Sequence, residues 1–248
     1  LLGVVYLFAF LTAANQLLPL VGEHGLTPAR SFLVGLRAWA GSEAQTWLQH
    51  PTLFLLGCSD QWLLLVSWAG VLLAALCAIG FANAVSMWLL WAMYLSIVQI
   101  GQTWYGYGWE SQILETGFLG IFLCPVLDPR PFPRTPPPVV VIWLHRWLLF
   151  RIMLGAGLIK VRNDAAWRDL TALTYHYETQ PLPNPISQWV HSLPGWFHVF
   201  GCLWNHFTEL FLPWFVFGPT VVRRAAGVLM IFFQVLLLLS GNLSFLNW

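Results

Sequence analysis

The sequence predicts an all-α fold: a polytopic transmembrane bundle of six to seven spans, with one interfacial amphipathic helix and one polar extramembrane loop. Three observations predict it. Charged residues make up only 8% of the 248-residue chain and hydrophobic residues 58%, whereas a soluble domain carries about 25% charge. From Gln61 to Trp109 there is no Asp, Glu, Lys or Arg at all. Apolar runs of roughly 20 residues, the length that crosses a bilayer, recur between glycine and proline breaks. With 11 Lys+Arg and 10 Asp+Glu, the chain cannot coat a soluble body of its size. A mean hydropathy of +0.68 agrees. Cytosolic enzymes, disordered chains and electrostatic nucleic-acid binders are therefore excluded. Of the 16 Trp, 18 Phe and 6 Tyr, many lie near segment ends, where amphipathic rings settle at the headgroup level.

Residues 1–20 read as the first apolar helix. Gly22, Gly25 and Pro28 then break the chain, and TPARSFLVGLRAWAG reads as an amphipathic helix with Arg30 and Arg37 on its polar side. The uncharged stretch predicts a tight hairpin of two spans near 61–81 and 84–103, turning at Asn83. The segment 105–126 is a further candidate span; it carries Glu110 and Glu115 and ends at Pro125. Proline forbids helix over LDPRPFPRTPPP, so 125–138 is a linker. A span over 139–160 follows, then a polar loop over 161–195, and two last spans at 196–217 and 222–241. Seven crossings with Arg130, Arg134, Arg223 and Arg224 inside place the loop outside. The whole chain reads as a single transmembrane domain and, lacking an initiating Met, a basic leader and a tail, as an excerpt of a longer protein. The four cysteines have neither metal nor redox spacing and read as small apolar side chains.

Ionisable groups inside a membrane cost about 2.5–3.5 kcal/mol each at mid-span on insertion scales, so those retained mark structural or functional positions. Three clusters stand out. In WESQILETG, Gln112 and Ser111 share a helical face with Glu115, while Glu110 points about 140° away. The two carboxylates are thus not an acid–base pair. Glu115 is expected to line a cavity or pair with Arg146 or Arg151, and Glu110 to lie at the interface. The second cluster is His145, Arg146, Arg151 and Lys160 on one span, with Lys160 following the small-residue stretch GAG. A lysine there either snorkels to the headgroups or is desolvated and serves as a base. The third is a polar stripe of His198, Cys202, Asn205, His206 and Glu209, all within about 100° of arc at 100° per residue. No matching second half completes a metal site, so a hydrogen-bond network facing other helices is expected, without metal or cofactor. The loop adds Arg162, Asp164, Trp167, Arg168, Asp169, His176, Tyr177 and Glu178, followed by PLPNP on an extended path. Asn242-Leu243-Ser244 is a glycosylation sequon.

Four runs carry a resemblance: YGYGWESQILETGFL (105–119), FRIMLGAGLIKVRNDAAWRDLTALTYHYETQPLPNP (150–185), NHFTELFLPW (205–214) and GNLSFLNW (241–248). In order and spacing they resemble the lipase maturation factor family over nearly the whole chain. The resemblance implies an integral protein of the endoplasmic reticulum membrane, or of the inner membrane in bacterial relatives. It also implies a secreted lipase client such as lipoprotein lipase, and a further, mostly β, lumenal domain beyond the membrane part. A second likeness is to the membrane part of vitamin K-dependent gamma-carboxylase, in which a lysine at a helix end, shortly before a Trp, acts as base toward the quinol. Lys160, with Trp167 seven residues on, sits in a comparable place. The resulting expectation is a membrane-embedded maturation factor or chaperone for secreted lipases, with membrane lipids and the client as partners. The alternative is a membrane enzyme with a carboxylase-like cavity, Lys160 as catalytic base and a lipid or quinone-like ligand. Oligomeric state is not legible.

Overall fold

The computed structural model describes residues 1–128, 130–132, 135–180, 184–241 and 247. The sequon at 242–244, Arg134 and the prolines at 181 and 183 lie outside the described residues. Among the described residues there are helices and turns and no strand, so the fold is all-α. Among the described residues the α-helices are, in order, α1 Leu2–Val21, α2 Ala29–Ala40, α3 Glu43–Gln49, α4 Asp60–Ala78, α5 Ala84–Ile100, α6 Gly108–Ile121, α7 Val139–Asn163, α8 Ala165–Arg168, α9 Ala172–His176, α10 Ser187–His191, α11 Gly195–His206 and α12 Thr220–Ser240.

Four of them, α1, α4, α7 and α12, are long and apolar enough to cross a membrane by length and composition. The other spans read from the sequence are shorter or change winding. Helix α5 is apolar but has 17 residues, about 25 Å at 1.5 Å per residue, against a hydrocarbon core of about 30 Å. The 105–126 segment keeps only the 14 residues of α6 as α-helix. The 196–217 segment passes from α11 into a π turn at Phe207–Phe211 and a 3₁₀ stretch at Leu212–Phe217.

Local chemistry explains several boundaries. The predicted turn at Asn83 is the N-cap of α5: Asn83 Oδ1 accepts from the Ser86 amide at 2.9 Å and Ser86 Oγ from the Asn83 amide at 3.0 Å, a reciprocal capping box. Ser59 caps α4 in the same sense, accepting from the Trp62 amide at 3.3 Å. The amphipathic helix predicted around Arg30 and Arg37 is α2, whose buried face is Ala29, Leu33 and Ala40. Arg37 donates to the Leu55 carbonyl at 2.8 Å.

The chain forms two compact units, residues 1–141 and 142–248. In the first, α1 packs along α4 and α5 packs on α6. The core there is aromatic: the Phe10 and Tyr94 rings meet edge to face at 5.4 Å, as do Tyr6 and Tyr94 at 5.9 Å. Gly70 lets α4 approach α1, since a Cβ at that position would run into the Phe10 ring. The second unit is organised around Phe150, Met153, Leu212, Val216, Ala226, Met230 and Phe233. Cys77 and Cys202 are buried thiols, whereas Cys58 and Cys124 are half-buried.

Candidate functional site

In the second unit the end of α7 and the polar stripe of α11 meet. Gly157 sets their separation: a Cβ there would lie 2.6 Å from Leu210 Cδ2 and 3.0 Å from Glu209 Cβ, so only a glycine permits this approach. One turn further along α7, Lys160 reaches across to the stripe. Its ammonium lies 2.5 Å from Glu209 Oε1, donates to Asn205 Oδ1 at 3.1 Å and stands 4.8 Å from the centroid of the Trp167 ring. The second carboxylate oxygen, Glu209 Oε2, is buried without a hydrogen-bond partner among the described residues. Lys160 keeps 24% side-chain exposure and Glu209 only 6%. The lysine therefore neither stretches out to water nor stands alone in an apolar pocket; it is engaged by a carboxylate, an amide and an indole face.

The stripe itself is buried at His198, Cys202, Asn205 and Glu209, as the helical angles predict. His206 is half-buried. The α-helix ends at His206, and Glu209 sits on the π turn, where i+5 bonding replaces i+4. That turn also brings Thr208 to the buried face, a position that a uniform 100° step does not include.

The two histidines of the stripe hold the loop from beneath. His206 Nε2 is 3.0 Å from the Trp167 carbonyl, and His198 Nε2 is 3.2 Å from the His191 carbonyl. A carbonyl only accepts, so each Nε2 carries the proton and donates. Each Nδ1 is buried without a hydrogen-bond partner among the described residues. His206 and Lys160 thus both grip Trp167, at opposite ends of its residue: one the backbone, the other the ring. Asp164 caps α8, accepting from the Ala166 amide at 2.9 Å, and Arg162, Arg168 and Asp169 are exposed. Further on, His176 lies 3.2 Å from Gln180 Nε2, and Glu178 is 2.9 Å from His191. The Tyr177 ring meets His176 edge to face at 5.3 Å and lies tilted against His198 at 6.0 Å. His176 is held below the usual imidazole range, first by burial and then by the nearby Lys160 charge.

Three loop residues absent from the sequence-based candidates have a defined task. Gln180 donates to the Ser240 carbonyl at 3.1 Å, Ser187 to the same carbonyl at 3.0 Å, and Asn184 to those of Leu238 at 3.4 Å and Gly241 at 3.2 Å. They satisfy the last carbonyls of α12, which a helix leaves without internal partners. In the sequence they are two amides and a hydroxyl spaced along 180–187, with no local pattern that ties them to a helix end more than 50 residues away.

In the first unit, the two carboxylates of WESQILETG lie on different sides of α6, and Glu110 departs from expectation. Glu110, expected at the interface, is buried and accepts a hydrogen bond from the Tyr94 hydroxyl, while Glu115 is on the exposed side of α6. The α6 face that carries Ile113, Gly117 and Gly120 inward also carries Glu110. Glu115, His145 and Arg151 each have an interaction partner, and Arg146 lies 4.9 Å from the Trp143 ring centroid. Among the described residues no three His, Cys, Asp or Glu side chains are grouped so as to hold a metal ion.

Comparison with known proteins gives a consistent picture. A family model described as the lipase maturation factor transmembrane domain matches residues 1–248. Lipase maturation factor 1 of Mus musculus is 49% identical over 254 residues, covering 100% of this chain and 44% of that protein. The Homo sapiens protein of that name is 48% identical over 257 residues, with 100% and 45% covered. Lipase maturation factor 2 of Homo sapiens is 37% identical over 265 residues, with 99% and 37% covered. The chain spans less than half the length of these relatives. No solved structure matches.

Proposed function

The chain belongs to the lipase maturation factor family, and from that premise we propose that it is the membrane part of a maturation factor for secreted lipases. It is an integral membrane protein. The membrane is that of the endoplasmic reticulum in a eukaryotic cell and the inner membrane in a bacterial one. The client is a secreted lipase, and the working surface is the loop 161–195 together with the WESQILETG segment. One observation carries this reading: the match to relatives of that name is continuous across 100% of the chain, loop included. The clamped geometry supports the surface assignment, because a loop gripped at Trp167, His191 and the end of α12 presents a constant face.

In this reading Lys160 is a positioning residue. Its ammonium is engaged by Glu209 and Asn205, which neutralises charge and orders Trp167. Nothing in the geometry or the comparisons favours the carboxylase-like alternative with Lys160 as base. The test is a chimera. The matched segment of mouse lipase maturation factor 1 is replaced by this chain and expressed with a secreted lipase in cells lacking the endogenous factor. Recovered lipase activity per unit of secreted lipase is the expected result. A well-expressed chimera that leaves the lipase inactive would overturn the reading.

A further inference from the structure

In the last third of the loop, where it leads into α11, the chain changes character. From Pro185 to Phe197 there is no Asp, Glu, Lys or Arg, although the earlier part of the same loop carries Arg162, Asp164, Arg168, Asp169 and Glu178. It is not buried either. Ile186 is 43% exposed, Trp189 76%, Leu193 39% and Trp196 70%. Ile186 and Trp189 belong to the start and body of α10, Leu193 to the turn after it and Trp196 to the first turn of α11, so the exposed apolar side chains run across two short helices and the turn that joins them. Other side chains of the segment are polar and anchored: Ser187 is buried on the Ser240 carbonyl and His191 faces Glu178.

Two features say what covers this strip. The first is depth. Asn184 and Ser187 bond to the Leu238, Ser240 and Gly241 carbonyls, the terminal carbonyls of α12. That helix has 21 residues and the hydropathy of a membrane span. A segment within hydrogen-bond reach of a span's last turn lies at the level where hydrocarbon gives way to headgroups. The second is continuity. Trp196 lies in the first turn of α11, and the exposed series runs on along the same helix through Phe200 and Leu203, an apolar stripe leading away from the boundary. Exposed tryptophans at that depth, on a stretch free of charge, match the chemistry of the headgroup–acyl boundary.

We propose that Ile186, Trp189, Leu193 and Trp196 form an interfacial anchor. These side chains of residues 185–197 rest in the lipid boundary and hold the charged part of the loop before them at a fixed height above the membrane. The partner is the lipid surface itself, through the apolar bodies of the side chains and the indole N–H groups. The anchor does not depend on the client reading: a chimera that fails to mature a lipase leaves it untouched.

The experiment uses the protein labelled with 5-fluorotryptophan in phosphatidylcholine nanodiscs. The Trp189 and Trp196 signals are assigned by Trp189→Phe and Trp196→Phe, with Trp189→Tyr and Trp196→Tyr as second variants should either fail to fold. Fluorine line broadening is read with a doxyl lipid carrying its radical near the headgroup, and separately with a water-soluble gadolinium chelate. Both signals are expected to broaden roughly threefold or more strongly with the lipid radical than with the chelate, as rings set at the boundary should. Stronger broadening by the chelate would place the rings in water and overturn the proposal. So would insensitivity to both probes, which would mean that protein covers the strip.

Discussion

Removing Lys160 while leaving Glu209 tests the centre of the site most directly. At 2.5 Å and an effective dielectric of about 20, the attraction between the two charges is about 6–7 kcal/mol gross. Desolvation costs several kcal/mol per ion and offsets most of it, so the pair adds little net stability. Breaking it is another matter. Lys160→Met strands a carboxylate whose side chain is only 6% exposed, at a cost of about 3 kcal/mol or more. Glu209→Met strands the lysine, which at 24% exposure can redirect its ammonium outward, and should lose less. The double variant Lys160→Met/Glu209→Met replaces both charges with apolar volume and should return to within about 1 kcal/mol of the parent. Thermal unfolding of purified protein in one detergent is the assay, at roughly 2–4 °C per kcal/mol for a chain of this size. The expected order of midpoints is parent and double variant together, then Glu209→Met, then Lys160→Met lower by roughly 6–12 °C. A Lys160→Met protein as stable as the parent, or a double variant as poor as the worse single, would refute the coupling.

The remaining predictions use the same assay. Gly157→Ala should lower stability by about 1–3 kcal/mol through overpacking, because its Cβ meets Leu210 and Glu209. Gly155→Ala, two residues away with nothing within 4 Å, should gain up to about 1 kcal/mol from helix propensity. Equal responses would contradict the close approach. Tyr94→Phe takes the hydroxyl from the buried Glu110 carboxyl and should cost about 1–3 kcal/mol, read as a lower midpoint. His176 has a folded pKa below its unfolded value of about 6.5. The unfolded chain therefore binds the proton first, and the His176 contribution is complete above pH 6.5 and falls as pH drops below it. His176→Gln should flatten the decline of the midpoint over that acidic window; an unchanged slope would remove His176 as its source.

Much of the site was legible one element at a time. The stripe of His198, Cys202, Asn205, His206 and Glu209 follows from counting 100° steps; four of those side chains are buried and His206 is half-buried. What lay across from the stripe was not legible. Lys160 and Glu209 are 49 residues apart in sequence, and His206 and Trp167 are 39, with no local pattern tying one to the other. Glu110 and Glu115 show the same boundary in a sharper form. The angle between them was available from sequence, but which one faces inward depends on where α5 presents Tyr94.

The sequence by itself determined the class of the protein and the start of several helices. A chain with 8% charge has no soluble solution, and Asn83 and the prolines of 125–138 act on their own neighbours in the chain. Tertiary structure alone decided which polar side chains meet, where α11 relaxes into a π turn, and how many helices are long enough to cross. The physical reason is range. Hydropathy, capping and proline geometry act within a few residues, so they can be read along the chain. Burial of a charge is settled only by whichever distant side chain arrives to accept it, as Glu209 does for Lys160.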